Sequence, residues 1–537
     1  MNQIRRKRST SDRKPLGRFL SRDRTGIPEN GGVEEKGPGP GVAAVVERDP
    51  GWGRVCVFLQ KLGKKADSRS LSLAHCDLTA TDLLESATLL QFLPQLEEVD
   101  VSWNELIGGC LTALTSHLQD VGGIRALRLC SCRLNAVDVS ALGEALACVP
   151  LLEILDLSWN GGVGGGALQG LLGKLHPPLR ELHLVACQLT AADATALGTD
   201  FNLQILPLRK GHPLIFQMSY ISHNATGENT LSVVCVTSSV PMSQERPCLP
   251  SPVSVCGSLR CLPSVRELDL SCNKGLAGGL DRLTPHLVHL THLESLDLHL
   301  CCLTRSDLEA LIQVLPSLAA MTQLDVSSNK EAGGVAHQLV TALPLTQMRR
   351  LPLNSCSLNQ ESFTALALVV PYLHTVDVSW CKVVGGRLAL LLDALQPSVV
   401  LELRLSSCES RLTVLLGAAA ACRRGFLSSL RTLDVSYNGA VEDAGWSALF
   451  AAEGLASLQD VDLSLRPSTS APCSAWLPAL LCSAPRLPAL TRLALQRWTA
   501  GSRDRERLDQ CLRKRGVQLE WDAVTNQENP EGSRPEE

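Results

Sequence analysis

Three groups of residues have types and spacings at which chemistry could occur, and the first is a set of histidines. His286, His289 and His292 recur at every third residue of PHLVHLTHL, so imidazoles on one helical face could hold a metal ion. No carboxylate or thiol stands at a matching position, and a solvated helix face is therefore the favoured interpretation. We predict no metal and no cofactor.

The second group is the cysteines, 21 in all, which could form disulfides or supply a nucleophile. The N-terminal MNQIRRKRSTSD has no apolar run that would indicate a secretory signal, so we expect a cytoplasmic protein with reduced thiols. The RRKR cluster resembles a nuclear import signal, which makes the nucleus a second expected location. Six cysteines share one slot of a recurring motif, where a thiol acts as a small buried side chain. They are Cys76, Cys132, Cys187, Cys301, Cys356 and Cys408.

The third group combines an aspartate with an aromatic residue, as Asp156 and Trp159 do in LEILDLSWN. A rigid aromatic beside a carboxylate is typical of a protein-binding hot spot. The alternative is that Asp and Ser recur because the unit was duplicated and an exposed strand needs polar residues. The predicted partner-binding surface comprises Asp100, Trp103, Asp156, Trp159, Asp269, Asp325, Asp377, Trp380, Asp434 and Tyr437.

Motifs of the common enzyme classes are absent from the sequence. It contains no Gly-x-x-x-x-Gly-Lys phosphate loop, no Gly-x-Ser-x-Gly elbow and no Cys-x-x-Cys pair with zinc spacing. No Ser-His-Asp arrangement recurs either. We therefore predict a protein that is not an enzyme and that has no small-molecule substrate.

A repeated element must position these residues. The pattern L-x-x-L-x-L-x-x-N/C recurs, mostly at steps of 27 or 28 residues, and copies ending in Cys-x-Leu-Thr alternate with copies reading D-[LV]-S-x-N before glycines. Fourteen copies indicate a solenoid. The second apolar residue of each copy is Leu71, Val99, Leu127, Leu155, Leu182, Leu268, Leu296, Leu324, Leu351, Val376, Leu403, Leu433, Val461 or Leu493.

Each copy predicts a short strand followed by a helix. Strand residues alternate between faces, so Leu155 and Leu157 should point inward while Asp156 and Ser158 point outward. The Asn or Cys after the strand should turn inward and bond neighbouring backbone, and Cys381 should weaken its turn because it replaces the expected Asn. Capping boxes predict helix starts at Thr79–Asp82, Thr190–Asp193 and Thr304–Asp307.

The alternation of Cys and Asn copies resembles the ribonuclease-inhibitor-like class of leucine-rich repeat proteins, over roughly residues 60–500. The resemblance implies an α/β fold, a right-handed horseshoe-shaped solenoid with a parallel sheet on the concave face and helices on the convex face. It says little about activity, and from the outward aspartates and aromatics we predict a non-enzymatic scaffold or adaptor that binds a partner protein on the concave face. An inhibitor of a basic enzyme and a GTPase activator are the two alternatives.

Charge is distributed unevenly along the chain. The first 24 residues carry nine basic and two acidic groups, a surplus of seven positive charges, whereas the whole chain has a net charge of −4. The remaining residues therefore carry −11, which favours a partner with a basic surface. We expect no nucleic acid on the repeat body, and no membrane insertion because no window approaches 18 uncharged apolar residues.

The expected domain organisation follows the repeat. The irregular segment 201–258 contains several prolines where two repeats would fit, and three explanations are open: degraded repeats, an ordered insertion, or a sequence altered by splicing or gene assignment, which we favour. The tail also contains possible phosphorylation sites at Ser9 and Ser11. The predicted parts are a disordered basic tail (1–50), an N-terminal capping helix (51–68), repeats (69–200), the irregular segment (201–258), repeats (259–500), a C-terminal cap (501–523) and a disordered acidic tail (524–537).

Overall fold

The computed structural model describes residues 69–198, 259, 262–381, 388–408, 425, 427–452 and 454–522, together with the backbone of three strands between 201 and 237. The predicted tail 1–50 with Ser9 and Ser11, the capping helix 51–68 and the tail 524–537 lie outside the described residues. The chain forms two compact units. Residues up to 188 and the strands between 201 and 237 belong to the first unit, and residues 189–198 and those from 263 onward belong to the second.

The first unit contains five parallel strands of three residues, each centred on a predicted apolar position. Consecutive strands pair in register, so that Leu127 lies beside Val99 on one side and Leu155 on the other. In β2, β4 and β5 the central residue is buried and its neighbours are half-exposed. The strands are β1 (Ser70–Ser72), β2 (Glu98–Asp100), β3 (Ala126–Arg128), β4 (Ile154–Asp156) and β5 (Glu181–His183).

The second unit continues the same pattern. Its strands pair in parallel in two groups, β9 to β11 and β12 to β19, and Arg350 bridges Gln323 of the first group and Thr375 of the second. Pro352 has no N–H to donate to the ladder, which explains why this repeat forms a bridge instead of a full strand. The strands are β9 (Glu267–Asp269), β10 (Ser295–Asp297), β11 (Gln323–Asp325), β12 (Thr375–Asp377), β13 (Glu402–Arg404), β14 (Thr432–Asp434), β15 (Asp460–Asp462), β16 (Ala471–Pro472), β17 (Arg492–Ala494), β18 (Trp498–Thr499) and β19 (Gln518–Glu520), where β16 pairs only with β18.

Helices follow the strands, which confirms the predicted α/β solenoid of repeated strand–helix units. Helices after Cys copies contain eight to ten residues, whereas those after D-x-S copies contain four to seven, with nine in α11 as the exception. A full helix in every repeat, which the resemblance implied, is therefore not formed. The helices are α1 (Ala80–Ala87), α2 (Thr112–Thr115), α3 (Ala136–Ala145), α4 (Ala167–Leu172), α5 (Ala191–Gly198), α6 (Thr284–Leu287), α7 (Arg305–Val314), α8 (Ala336–Ala342), α9 (Gln360–Val369), α10 (Leu388–Ala394), α11 (Asp443–Ala451), α12 (Leu477–Ser483) and α13 (Ser502–Arg513).

Capping explains the difference in helix length. The predicted boxes form before α1 and α7, where Thr79 and Thr304 accept a hydrogen bond from the N–H of the Asp three residues on and the Asp returns one. Asp307 also reaches the preceding repeat, because its carboxylate accepts hydrogen bonds from the N–H groups of Gly278 (2.8 Å) and Leu280 (3.0 Å). Gly278 has a φ of +75°, a conformation in which glycine carries no steric cost. The glycine turn of a D-x-S copy therefore donates backbone hydrogen bonds to the capping Asp of the next helix. The D-x-S copy itself does not begin a long helix at these glycines.

The Asn and Cys slots link each repeat to the one before it, as predicted. Asn160 is fully buried, and its Oδ1 accepts hydrogen bonds from the N–H groups of Cys132 (3.0 Å) and Leu134 (2.9 Å). The Cys132 thiol donates to the carbonyl of Val101 at 3.3 Å. These bonds satisfy buried backbone groups at the point where each strand ends.

Cys381 shows what an Asn contributes at this slot. Its thiol donates to the carbonyl oxygens of Leu353 and Cys356, both at 3.3 Å, but sulfur offers no strong acceptor in return. The N–H groups of Cys356 and Leu358, which an Asn would bind, donate instead to the carbonyls of Leu353 (3.3 Å) and Cys356 (2.9 Å). The turn at Cys356 is thus joined to the following repeat by fewer hydrogen bonds.

The described part of 201–258 does not continue the parallel pattern. Its strands β6 (Phe201–Gln204), β7 (Ile215–His223) and β8 (Asn229–Thr237) pair antiparallel with one another. On the other side of the segment, the N–H of Leu189 donates to Oδ1 of Asn273 at 3.0 Å, the same bond that Leu134 makes with Asn160. These partners are 84 residues apart in the first pair and 26 in the second, and the excess of 58 equals the length of 201–258. The bond is that of two consecutive repeats, which fits an inserted segment.

Residues 502–522 close the second unit at the place of the predicted C-terminal cap. Helix α13 buries Leu508 and Leu512, and β19 pairs with β17 as the last strand of the sheet. Nearby, Trp476 packs edge-on against Trp498 with ring centroids 5.0 Å apart. This cluster supplies aromatic bulk to a core that elsewhere consists mostly of leucine.

Candidate partner-binding surface

The first and third residues of each strand lie on the exposed face of the sheet, which we call the sheet surface. The predicted aspartates occupy this third position, and each also has a structural bond. Its Oδ1 accepts a hydrogen bond from the N–H two residues on, at 2.9 Å in every case. The acceptors are Asp100, Asp156, Asp269, Asp325, Asp377, Asp434 and Asp462.

The serine of the D-x-S motif does not point outward as predicted. Ser158 is buried, and its Oγ accepts a hydrogen bond from the N–H of Val185 in the next repeat at 3.3 Å. Ser102 makes the equivalent bond with the N–H of Cys130 at 3.2 Å. The prediction was wrong because the strand ends at the Asp, so the face alternation does not extend to the serine, whose hydroxyl instead satisfies a backbone donor. Recurrence of the Asp-Ser pair therefore has a structural cause.

The tryptophans of the motif are exposed and are not packed among the leucines. Trp103, Trp159 and Trp380 have exposed fractions of 42%, 55% and 50%. Each has a φ between +62° and +64°, a left-handed conformation that is rare for a bulky residue. The N–H of each Trp donates to a carbonyl of the next repeat at 2.7 or 2.8 Å, which fixes the turn. The indoles are thus held on a rigid backbone at the end of the strand.

In the second unit the fold brings two of the predicted aromatics together. The rings of Trp380 and Tyr437 lie in alternate repeats, yet their centroids are 5.8 Å apart. Ser407 occupies the same turn position in the repeat between them, and its small side chain leaves room for the rings to approach. Arg466 donates a hydrogen bond from its guanidinium to Oγ of Ser407 at 2.6 Å. We call these four residues the aromatic cluster.

The first unit has a smaller counterpart. The imidazole of His75 stacks on Trp103 with centroids 5.4 Å apart and planes inclined by 11°. On the adjacent sheet surface Arg128 forms an ion pair with Glu98, and His183 lies 3.4 Å from Glu181. The first and third strand positions of this unit hold four carboxylates and one guanidinium, a surplus of three negative charges.

Burial and like charge act on the aspartates of the second unit. Burial, together with the neighbouring carboxylate of Asp325, raises the pKa of Asp297 to about 7. Burial likewise raises the pKa of Asp377 and of Asp434 above the usual range of a carboxyl group. A cation placed on this surface would offset part of the energy that these groups need to ionise.

Each arginine at the first and third strand positions, the Arg350 bridge included, already has a carboxylate partner. Arg350 pairs with Asp325 at 2.9 Å, and Arg404 pairs with Glu402 at 3.1 Å. Arg492 contacts Asp460, Asp462 and Glu520. Within the described part of the chain, no basic side chain lies at ion-pair distance from four further aspartates of the surface. They are Asp269, Asp297, Asp377 and Asp434.

The slot cysteines are not suited to nucleophilic chemistry. Burial raises the pKa of the thiols of Cys132, Cys301, Cys356 and Cys408 to about 12, so they stay protonated and act as hydrogen-bond donors. The fifteen cysteines of the described residues form no disulfide with one another. Their role in this part of the chain is to fill the core and close turns.

The three histidines do not share one helix. Only His286 belongs to α6, which ends at Leu287, while His289 and His292 lie in the turn that follows. Among the described residues, no group of three or more His, Cys, Asp or Glu side chains is arranged to hold a metal ion. No helix of these residues combines the length and apolar character needed to cross a membrane.

Sequence reasoning missed Ser407, Arg466 and His75. Alignment of the repeats would have shown Ser407 between Trp380 and Tyr437, because all three occupy the residue before the Cys or Asn slot. The hydrogen bond from Arg466 to Ser407 joins residues that are 59 positions apart, and the repeat pattern does not predict it.

Comparison with known proteins supports the repeat assignment. A family model described as "Leucine Rich repeat" matches residues 289–311 and 426–450. The chain is 28% identical to ribonuclease inhibitor from Sus scrofa over 403 residues, which cover 70% of this chain and 83% of the relative. It is 27% identical to ribonuclease inhibitor from Mus musculus over 365 residues, covering 66% and 67%. A solved structure, the Rad7 and Elc1 complex in yeast, aligns at 14% identity with a TM-score of 0.39 over 86% of this chain and 83% of that one.

Proposed function

We propose that the chain is a leucine-rich repeat protein that acts as a non-enzymatic scaffold or adaptor, and the match to the repeat model and the similarity to ribonuclease inhibitor support this. It binds a protein partner on the sheet surface, and the aromatic cluster of the second unit is the anchor of that contact. The partner presents lysine or arginine side chains, which the surrounding aspartates attract.

The pairing of Trp380 with Tyr437 is the observation that carries this proposal. An indole that is half exposed and held by a left-handed turn loses little conformational freedom on binding. Its neighbour Tyr437 extends the aromatic area, and Asp377 and Asp434 occupy the strands on either side of β13. Aromatic faces next to carboxylates suit a guanidinium or ammonium group, which can contact a ring face while it pairs with an acid.

The test is affinity capture from cells with quantitative mass spectrometry, followed by binding of each purified partner. We expect the Trp380→Ala/Tyr437→Ala variant to lose a partner that the wild-type protein retains, with affinity reduced at least about tenfold, as expected for hot-spot residues. The matched control is Leu368→Ala, since Leu368 is 52% exposed on helix α9, away from the sheet surface. Equal recovery of every partner by the double variant and the control would refute the proposal.

Inhibition of a basic enzyme is the second candidate, favoured by the alignment over 83% of the length of pig ribonuclease inhibitor. Its name states that it inhibits ribonuclease, and an acidic sheet surface would suit a basic enzyme. A pancreatic-type ribonuclease assay at sub-micromolar protein tests this directly. Inhibition that the Trp380→Ala/Tyr437→Ala variant loses would assign the surface to an enzyme partner, and no inhibition would exclude this class of ribonuclease.

A further inference from the structure

The sheet surface of the second unit carries a large excess of negative charge. Ten carboxylates and three guanidinium groups occupy the first and third positions of its parallel strands and of the Arg350 bridge, a surplus of seven negative charges. All three guanidiniums are already paired within the surface. The aspartates without such a partner, among them Asp377 and Asp434, lie next to the exposed aromatic cluster along the same strands.

The same chain contains a segment of opposite charge. Residues 1–24 carry a surplus of seven positive charges, concentrated in RRKR at positions 5–8 and continued by Arg13, Lys14 and Arg18. Residues 25–50 are the remainder of the predicted disordered tail, and a chain of that length extends to at most roughly 90 Å. The segment can therefore reach surfaces far from the strand to which it is joined.

We propose that residues 1–24 dock on the sheet surface of the second unit, with basic side chains on Asp377 and Asp434 and against the rings of Trp380 and Tyr437. This inference rests on the proposed function, because the segment would occupy the surface assigned there to a partner. The docked segment excludes weak partners, and a more basic partner displaces it. Phosphate groups on Ser9 and Ser11 would remove about half of the positive surplus and weaken the contact.

The test uses the full chain, a variant that lacks residues 1–24, and a fluorescent peptide of residues 1–24 as the probe. We expect the truncated protein to bind the peptide, and the full chain to bind it at least about fivefold more weakly because its own segment competes. The Asp377→Asn/Asp434→Asn variant of the truncated protein should bind about fivefold more weakly as well, given the modest contribution of each exposed ion pair. A peptide phosphorylated on Ser9 and Ser11 should bind more weakly than the unmodified peptide.

Two controls separate a specific surface from general attraction. Asn retains the acceptor for the N–H groups of Ser379 and Ser436, so the double variant should have a thermal unfolding temperature no lower than that of the wild type. Asp281→Asn/Glu361→Asn removes the same charge from exposed positions in the helical half of two repeats and should leave peptide affinity unchanged. Loss of affinity in this control equal to that in Asp377→Asn/Asp434→Asn would overturn the proposal.

The outcomes also distinguish this proposal from the proposed function. Equal peptide binding by the full and truncated chains would show that the segment does not occupy the surface of its own chain, and this too would overturn the inference. If a partner requires Trp380 but binds the full and truncated chains equally, the proposed scaffold function is supported and the docking of residues 1–24 is not. Concentration-dependent dimers that disappear in the truncated protein would place the segment on a second copy, which contradicts docking within one chain.

Discussion

At the scale of single residues, the aspartates of the sheet surface have two roles that oppose each other. Each ends its strand by accepting a backbone hydrogen bond, as Asp297 does from the N–H of His299 at 2.8 Å. The register of β9, β10 and β11 also places Asp269, Asp297 and Asp325 side by side, where burial and the carboxylate of Asp325 disfavour the ionisation of Asp297. The first role stabilises the fold, while the second lowers its stability at neutral pH and keeps negative charge available for a partner.

We predict that Asp297→Asn stabilises the protein at pH 8. The folded pKa of about 7 lies above the ordinary value of 3.8, so the folded state binds the proton more tightly and the free energy of unfolding falls as pH rises between these values. Asn keeps the acceptor and removes the charge, so we expect a gain on the order of 2 kcal/mol at pH 8 and little change at pH 4. Urea unfolding at both pH values measures this.

Asp307→Asn should have the opposite effect and serves as the matched comparison. Burial by itself opposes ionisation of Asp307, but hydrogen bonds led by that from the N–H of Gly278 lower its pKa. The stabilisation is then present above the unfolded pKa and is lost as pH falls, so the variant should lose stability at pH 8 and less at low pH. Equal behaviour of the two variants across pH would contradict both assignments.

At the scale of elements, the turn that joins a strand to its helix determines how strongly neighbouring repeats are linked. An Asn at the slot binds two N–H groups of the preceding repeat and donates to three carbonyls, as Asn160 does to Leu129, Leu157 and Ser158. A Cys at the slot donates to one or two carbonyls and accepts nothing of comparable strength. From Cys76 to Cys356, alternation of the two types thus makes every second turn the stronger link between repeats.

Substitution at two slots should therefore change stability in opposite directions. Asn160→Ala leaves the N–H groups of Cys132 and Leu134 buried without their acceptor, and we expect a loss of about 3 kcal/mol. Cys381→Asn restores that acceptor to a D-x-S copy that has a Cys at the slot, with an expected gain of about 1 kcal/mol from bonds to Cys356 and Leu358. Chemical denaturation of the two variants measures both values, and a destabilised Cys381→Asn would show that the turn has adapted to sulfur.

At the scale of the whole molecule, the described residues form two repeat units and an antiparallel group of strands. Each repeat depends on bonds from its neighbours, so the stability of a unit is a sum over adjacent repeats. Leu189 and Asn273 make the hydrogen bond of consecutive repeats, although residues 201–258 lie between them in the sequence. The alternating charges before the strands reinforce the order of repeats, since Glu153 lies between Arg125 and Arg180.

Deletion of residues 201–258 should therefore leave the repeats folded. The deletion removes 58 residues and reduces the step from Leu182 to Leu268 from 86 to 28 residues, the ordinary repeat length. We expect unchanged helical circular dichroism per repeat and a thermal unfolding temperature within a few degrees of wild type. As a control, deletion of residues 125–152, one ordinary repeat, keeps the pitch but joins two repeats of the same type and should cost more stability. Aggregation of the 201–258 deletion alone would refute the insertion.

Much of this architecture was determined by the sequence alone, because the repeat is a local pattern whose chemistry recurs. The strand centres from Leu71 to Leu493, the capping boxes of Thr79 and Thr304 and the inward Asn and Cys slots are readable from period and residue type. The pattern also placed the tryptophans outside the core. Each of these features depends on residues within one repeat or on its immediate neighbour.

Only the tertiary structure decided which of these residues meet. Trp380 and Tyr437 are 57 positions apart, and their contact depends on the small Ser407 between them and on Arg466 reaching back across two repeats. The burial of Ser158, the raised pKa of Asp297 and the hydrogen bond from Leu189 to Asn273 also depend on neighbours that are distant in sequence. The reason is physical: a repeat pattern specifies the path of the backbone, whereas ring contacts, desolvation and the joining of repeats arise from the side chains that this path brings together.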